Sequence, residues 1–439
     1  MATAKKVRLS VADSGVFSHG IREDTARTAS DLLQEDMEKH HVFFNDSGFH
    51  NHIPHLILSM YALGASPDEI KAAYASNKSY QRPALPVDNA VVRSLHDKEH
   101  FGKCLGREKH YSNFLAFFQQ EIDEKGVEKV LNEHLFSGDE IAEDMLERMF
   151  GGLIHPFIHS GFGIEFNQPA IVAEGLAQTA VHENWIGPLF FRPVEKAAGG
   201  IGNPGKKSML QILEEIRADK KLTGSSRWDD STRMKNGVLK RAPDEMMKYA
   251  AEFTVSADQV QEKIAEIINT VAYYTSAAQR PDKQIKFDFF FIHGVNSSIF
   301  LSKIASLPFV EEHVKLRLLE WTGRVDLMLY VAYGAPNLHL DEITSYTASR
   351  SWESIFAYST AQSGDDGHLP KLVRALKNGE RVCRPFEAQA QERGLKITGD
   401  MWLKIANMVM DSTRDQHALW VRGAGFDEAW NEFGGRSRL

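Results

Sequence analysis

The sequence predicts an all-α or strongly α-dominated fold. Three observations carry that prediction. Apolar residues recur at three- and four-residue steps, clean alternating strands are scarce, and the Asn–Gly and Asp–Gly pairs that close hairpins are nearly absent. The 439 residues are 43% hydrophobic and 25% charged, an ordinary balance for a folded chain with a sizeable core. The 32 Gly and 15 Pro follow no period, which excludes collagen-like and low-complexity architectures.

The elements follow in order. Residues 21–40 read as a first helix. Pro54 fits the first turn of a second, which LILSMYAL continues. Ser66-Pro67-Asp68-Glu69 opens a third, with Ser at the cap, Pro in the first position and Glu three residues on. Residues 114–122, 138–150, 170–182 and 208–220 fit helix, and the longest runs over about 256–278. Asp365-Asp366-Gly367 is another start signal, and His368 to Leu376 reads as helix. These lengths suit helices around one core rather than a βαβ series. A single domain over 1–439 is expected, two-lobed or with a loop-rich excursion near 193–243, where RPVEKAAGGIGNPGKK and TGSSRWDDSTRMKNGVLKRAP interrupt the helices. No repeat of about 20–50 residues is visible.

Charge and address narrow the partners. Lys plus Arg number 51 against 59 Asp plus Glu, a net charge of −8 that lacks the footprint of a nucleic-acid binder. Two cysteines, Cys104 and Cys383, build no disulfide framework. No run of about 18 apolar residues predicts a membrane span. MATAKKVRLSVADSG lacks the apolar core of a secretion signal, and Ser437-Arg438-Leu439 resembles the peroxisomal Ser-Lys-Leu address. The expectation is a cytoplasmic or peroxisomal protein without membrane or nucleic-acid partners; oligomeric state stays open.

Gly200-Ile-Gly202-Asn-Pro-Gly205 fits GxGxxG and is a near miss for a P-loop, with Lys207 where a hydroxyl residue is needed. A dinucleotide fingerprint follows a strand, and PVEKAAG is not one, so the loop reads as a plain surface turn.

The 18 histidines group better. His50, His52 and His55 lie in FHNHIPHLILSMYALGA, where the pair His52 and His55 serves either as helix cap or as chelate. In GGLIHPFIHSGFGIEF, four residues separate His155 from His159. On a helix that is about 400°, about 40° from eclipsed, so both rings share one face. Glycines 151, 152, 161 and 163 leave room for a ligand, although Pro156 stands where the zinc-enzyme motif has Glu. His293 follows an apolar run, FDFFFI, that implies burial, with partners needed for both ring nitrogens. His368 and Lys371, three apart, share a helix face. Lys377 lies about 180° round from His368 and points away.

These segments resemble, in this order, the questin oxidase-like family of fungal polyketide enzymes. The matching pieces are His52-Ile-Pro-His55-Leu with Tyr61-Ala-Leu-Gly-Ala65, Gly151 through Glu165, Glu174-Gly-Leu-Ala177 with His182, His293, and Asp366-Gly-His368-Leu-Pro-Lys371. The resemblance spans about residues 45–380. It implies an oxidoreductase that uses O2 to open the central ring of a small anthraquinone such as questin, giving a benzophenone. Members were described as NADPH-dependent Baeyer–Villiger oxidases, and at least one resembles a non-haem iron dioxygenase with four histidines and a carboxylated lysine.

What the resemblance implies for this chain is a helical domain around a buried Fe(II) site. Its implied metal ligands are His55, His155, His159, His293 and a CO2-derived carbamate on Lys371. His52, His368, Glu165, Glu174 and Asp366 are alternative ligands or groups that orient the rings. His182 is the implied general base, and Tyr61, Trp185, Phe289 and Phe291 are implied to hold the substrate. Asn296 follows His293 closely where a hydroxyl residue is expected, so a hydroxyl contact to the carbamate falls to Ser297 or Ser298. Two rivals remain: a metal-free, NADPH-dependent Baeyer–Villiger oxidase, and a helical binding protein with surface histidines.

Overall fold

The computed structural model describes residues 1–205, 207–362, 364–414 and 418–436. Its regular structure is helical. Among the described residues the β-type pairings are isolated bridges such as Phe43 with His50 and Asp288 with Val421. The Ser437-Arg438-Leu439 tripeptide lies outside the described residues. Among the described residues no helix is long and apolar enough to cross a membrane.

The chain divides into two compact units. The first comprises Met1–Gly187, Ser306–Val310 and Phe356–Arg374, and the second Pro188–Ala305, Glu311–Ile355 and Ala375–Leu439.

The principal helices of the first unit are α1 (Glu23–Lys39), α2 (Ile53–Ala62), α3 (Pro67–Lys78), α4 (Tyr111–Lys125), α5 (Glu140–Arg148), α6 (Gly151–Glu165) and α7 (Pro169–Val181). The expected capping box opens α3: the Ser66 hydroxyl accepts from the Glu69 N–H while Glu69 accepts from the Ser66 N–H. All ten residues of α2 are buried, which explains why its sequence is apolar apart from His55 and Ser59. α6 and α7 cross closely because glycines face the neighbouring helix. A Cβ at Gly175 would come within 2.4 Å of Ser160 Oγ, and one at Gly163 within 2.6 Å of the Val172 nitrogen.

The second unit contains α8 (Met209–Ala218), α9 (Val260–Ala277), α10 (Phe291–Ser298), α11 (Glu312–Ala332) and α13 (Met401–Ser412). Between the last two in sequence, α12 (His368–Cys383) runs past the expected end at Leu376, and the unit boundary falls within it after Arg374. The stretch near 193–243 is less irregular than its composition suggests. Pro193 sits in the first turn of a short helix, Arg192–Ala197, where proline is tolerated, and a wide π turn covers Arg233–Val238. The Gly200–Gly205 loop follows that helix rather than a strand, so the geometry of a dinucleotide fingerprint is missing there.

Candidate metal centre

α6 begins with a break. Gly152, Leu153 and Ile154 all have left-handed backbone, at φ +51°, +58° and +66°. Two consecutive non-glycine residues there are costly, a strain that proteins concentrate at functional sites. Gly152 is required for a second reason: a Cβ would lie 2.4 Å from His182 Nε2 and 2.8 Å from His50 Cε1. After the break the helix presents His155 and His159 to the start of α2.

The rings then meet in pairs. His155 Nε2 is 2.8 Å from His52 Nε2, and His159 Nδ1 is 3.2 Å from His55 Nε2. His50 stacks on His155 with centroids 3.9 Å apart, and its Nε2 lies 2.8 Å from His182 Nε2. His368, at the start of α12, meets His52 edge-on at 4.7 Å. Seven histidines of the first unit thus form one buried cluster.

The other nitrogen of several rings fixes the tautomer. His52 Nδ1–H donates to Asp366 Oδ2 at 3.1 Å, and His155 Nδ1–H donates to the Gly152 carbonyl at 2.5 Å. Asp366 also accepts from His368 Nδ1–H. His182 Nδ1–H donates to the Gln178 carbonyl at 2.6 Å. A carboxylate or carbonyl can only accept, so the proton is on Nδ1 and Nε2 is a lone pair. The lone pairs of His52 and His155 therefore face each other across 2.8 Å.

Burial disfavours the charged form of His52, His55, His182 and His368. Burial lowers the His52 pKa, with the Lys371 ammonium adding to it, and lowers His55 further. Burial brings His182 down to about 4 and His368 to about 3. Lys371 is driven down to about 8 by burial, against the opposing pull of Asp366 and Asp365. Burial raises Asp366, but the His368 and His52 rings outweigh it and hold that carboxylate well below its usual range. Burial raises Glu174.

A divalent cation fits this donor set. His55 Nδ1, His159 Nε2 and Lys371 Nζ are buried and without a hydrogen-bond partner. Such groups are expensive to leave unsatisfied. Imidazole nitrogens bound cis to one ion at about 2.1 Å stand about 3 Å apart, matching the 2.8 and 3.2 Å contacts. Rings whose far N–H is held by a carboxylate or carbonyl are the usual form of metal-ligating histidine. Asp366, His52 and His368 also place one donor atom each within 4.8 Å of one another. In a second grouping, Glu121, Glu133 and His134, both carboxylates are already paired with Lys125, whose ammonium contacts them at 2.5 and 2.8 Å.

The remaining site residues fall as follows. Glu174 Oε2 lies 3.7 Å from His159 Nε2. Glu165 orients no ring: it pairs with Arg374 and accepts from the Val16 N–H at 2.7 Å. Tyr61 is fully buried and donates to the Ser10 carbonyl at 2.7 Å, and Trp185 is half-buried. His293, Phe289 and Phe291 belong to the second unit. His293 Nδ1–H donates to the Phe289 carbonyl at 2.7 Å, and Phe291 packs 5.0 Å from Tyr274. Asn296, buried without partners for its amide, follows on the same helix. Lys377 pairs with Glu380 and lies over the Trp352 ring at 4.7 Å. The sequence groups His50 with His52 and His55 but assigns it no role in the site. Nothing in the sequence pointed to its pairing with His182.

The profile of the questin oxidase-like family matches residues 49–376. A Baeyer–Villiger oxidase of Pestalotiopsis fici is 42% identical over 98% of this chain and 98% of its own length. A questin oxidase of Aspergillus terreus is 40% identical, again over 98% of each chain. A Baeyer–Villiger oxidase of Emericella nidulans is 36% identical over 95% of each. The match takes in the α2 histidines, the broken start of α6 and the Asp366–Lys371 segment together, and the chain is therefore an oxidoreductase belonging to the questin oxidase-like family.

Proposed function

We propose that the protein is an Fe(II)-dependent oxygenase that opens the central ring of a questin-like anthraquinone to a benzophenone. The observation that supports this reading most is the facing lone pairs of His52 and His155, both with Nδ1–H committed elsewhere. Without a cation they repel; with one they are two of its ligands. Two of His55, His159, His368 and His293 complete the four imidazoles, and a carbamate on Lys371 is the anionic donor. When bound, iron supplies a redox-active centre for reaction of dioxygen with an electron-rich ring.

The chain's own residues prepare that chemistry. Asp366 holds two rings in one tautomer. Lys371 reaches its neutral, CO2-reactive form near physiological pH because it is buried. His182 stays uncharged at neutral pH and shares a proton with His50, so the pair relays a proton rather than acting as a strong base.

The overall reaction balances in two ways. A hydroquinone plus O2 gives the hydroxybenzophenone carboxylic acid, with both oxygen atoms retained. A quinone takes one oxygen atom by Baeyer–Villiger insertion and a water by hydrolysis; the second oxygen leaves as water with two electrons from a reductant such as NADPH. The names of the Pestalotiopsis and Emericella relatives favour the second, Baeyer–Villiger route as the alternative.

The test is anaerobic reconstitution, elemental analysis and turnover under labelled dioxygen. About one iron per chain, activity that depends on it and two labelled oxygens in the product support the proposal. Full activity in iron-free protein with NADPH overturns it in favour of the metal-free route.

A further inference from the structure

We infer that Phe44, Phe49 and Tyr80 form the face on which a planar aromatic substrate docks, at the edge where the histidine cluster meets solvent. The inference rests on the polyketide-oxygenase reading and adds a substrate-positioning surface to it. Phe49 and Tyr80 are 48% and 43% exposed, an unfavourable state for large rings. They are not scattered. The Phe44 ring lies 5.9 Å from Phe49 and 5.1 Å from Tyr80, so the three rings form one patch.

The patch is tied to the metal centre from two sides. On one side, the segment 43–50 is a tight hairpin. The Phe44 N–H donates to the Phe49 carbonyl at 2.8 Å, the Asn51 N–H donates to the Val42 carbonyl at 2.7 Å, and Asn45 Oδ1 accepts from the Ser47 and Phe49 N–H groups at its tip. Phe43 and His50 pair at its base, Phe43 lies edge-on to His182 at 5.2 Å, and so the hairpin that turns Phe49 outward carries His50 inward. On the other side, the Tyr80 hydroxyl donates to Asn77, whose amide donates to the Asp365 carbonyl at 3.2 Å. Asp365 precedes Asp366, the group through which the cluster reaches water. Its side chain is 37% exposed, against 8% for His52 and none for His368.

A fused tricyclic quinone has flat apolar faces and a phenolic rim. Aromatic side chains receive such faces by offset or edge-on stacking. The Tyr80 oxygen, its proton given to Asn77, keeps lone pairs for a substrate phenol. Three rings make too small a patch for a stable protein partner but suit a small molecule.

The test uses the full-length iron-loaded enzyme with 1,8-dihydroxyanthraquinone, by absorbance titration and by steady-state turnover with reductant in air. Phe49→Ala and Tyr80→Ala should each raise Kd and KM about tenfold and leave kcat within about twofold, the signature of lost uniform binding. Phe49→Tyr should restore binding. Val11→Ala, at an equally exposed residue outside the patch, should change neither constant. A wild-type enzyme that turns the probe over, with Kd and KM unchanged in both alanine variants, overturns the docking face and leaves the proposed function standing. A wild-type chain that neither binds nor converts the probe overturns both.

Discussion

In the proposed iron site His52 and His155 are ligands because their Nδ1 protons go to Asp366 and the Gly152 carbonyl, so metal affinity should depend on the acceptors as well as the rings. His155→Ala removes a donor, and iron should be lost with the fold intact. Asp366→Asn keeps the rings but no longer fixes their tautomers, and iron affinity should fall about 10- to 100-fold, measured by chelator competition. Lys371 is a separate question. Lys371→Ala should abolish turnover, Lys371→Glu should restore part of the iron binding, and labelled bicarbonate should give a carbamate carbon signal only in proteins that keep the lysine. Lys377→Ala, which removes only a pair with Glu380 and a contact with Trp352, should be nearly silent. The sign of the pH effect follows from burial. In the metal-free fold Lys371 titrates at about 8, below its ordinary 10.5. Between those values the unfolded chain binds more protons, so stability rises with pH across that window. Lys371→Met should remove the rise, read as Tm against pH in the metal-free protein.

At the scale of the element, the start of α6 and the α6–α7 crossing set the positions of His155 and His159. Gly152→Ala places a Cβ against His182 and His50 at a left-handed position, so both strain and clash oppose it. Gly175→Ala forces Ser160 away and with it the helix that carries His159. Overpacking of this kind costs about 1–3 kcal/mol. Both variants should lower the denaturation midpoint and reduce iron content further than their loss of stability alone explains, because the ring spacing changes. An alanine at Gly48, where a Cβ meets nothing within 4 Å, is the control for backbone strain alone, since its φ is +75°.

For the molecule as a whole, the pH dependence of stability also has a contribution from the second unit. Asp326 is fully buried, and burial raises its pKa to about 8 from 3.8. Between those values the folded chain binds the extra proton, so this group makes stability fall as pH rises from about 4 to about 8. Asp326→Asn should flatten that part of the profile, in calorimetric scans across the range. The −8 net charge adds general repulsion above neutrality that salt screens, whereas the buried contribution should persist in salt.

Local physics made the helices legible. The Ser66 box, Pro54 and the spacing of His155 and His159 each act within a few residues, and those elements stand close to where the pattern puts them. Residues 192–197 of the stretch expected as loop form a short helix, because proline marks helix starts as well as loops. The motif histidines could be gathered by type and order, but not paired. Contacts such as His52 with His155 or His50 with His182 join residues more than 100 positions apart, and no periodicity encodes them. The same holds for Glu165, whose neighbours in sequence suggest a ring partner while the fold supplies Arg374. The sequence by itself determined the helical class and the residue types available for chemistry, because hydrophobic spacing and caps are short-range. Tertiary structure alone decided which nitrogens are lone pairs, which amine is buried and where the cluster opens to water, because those depend on acceptors and burial contributed by distant segments.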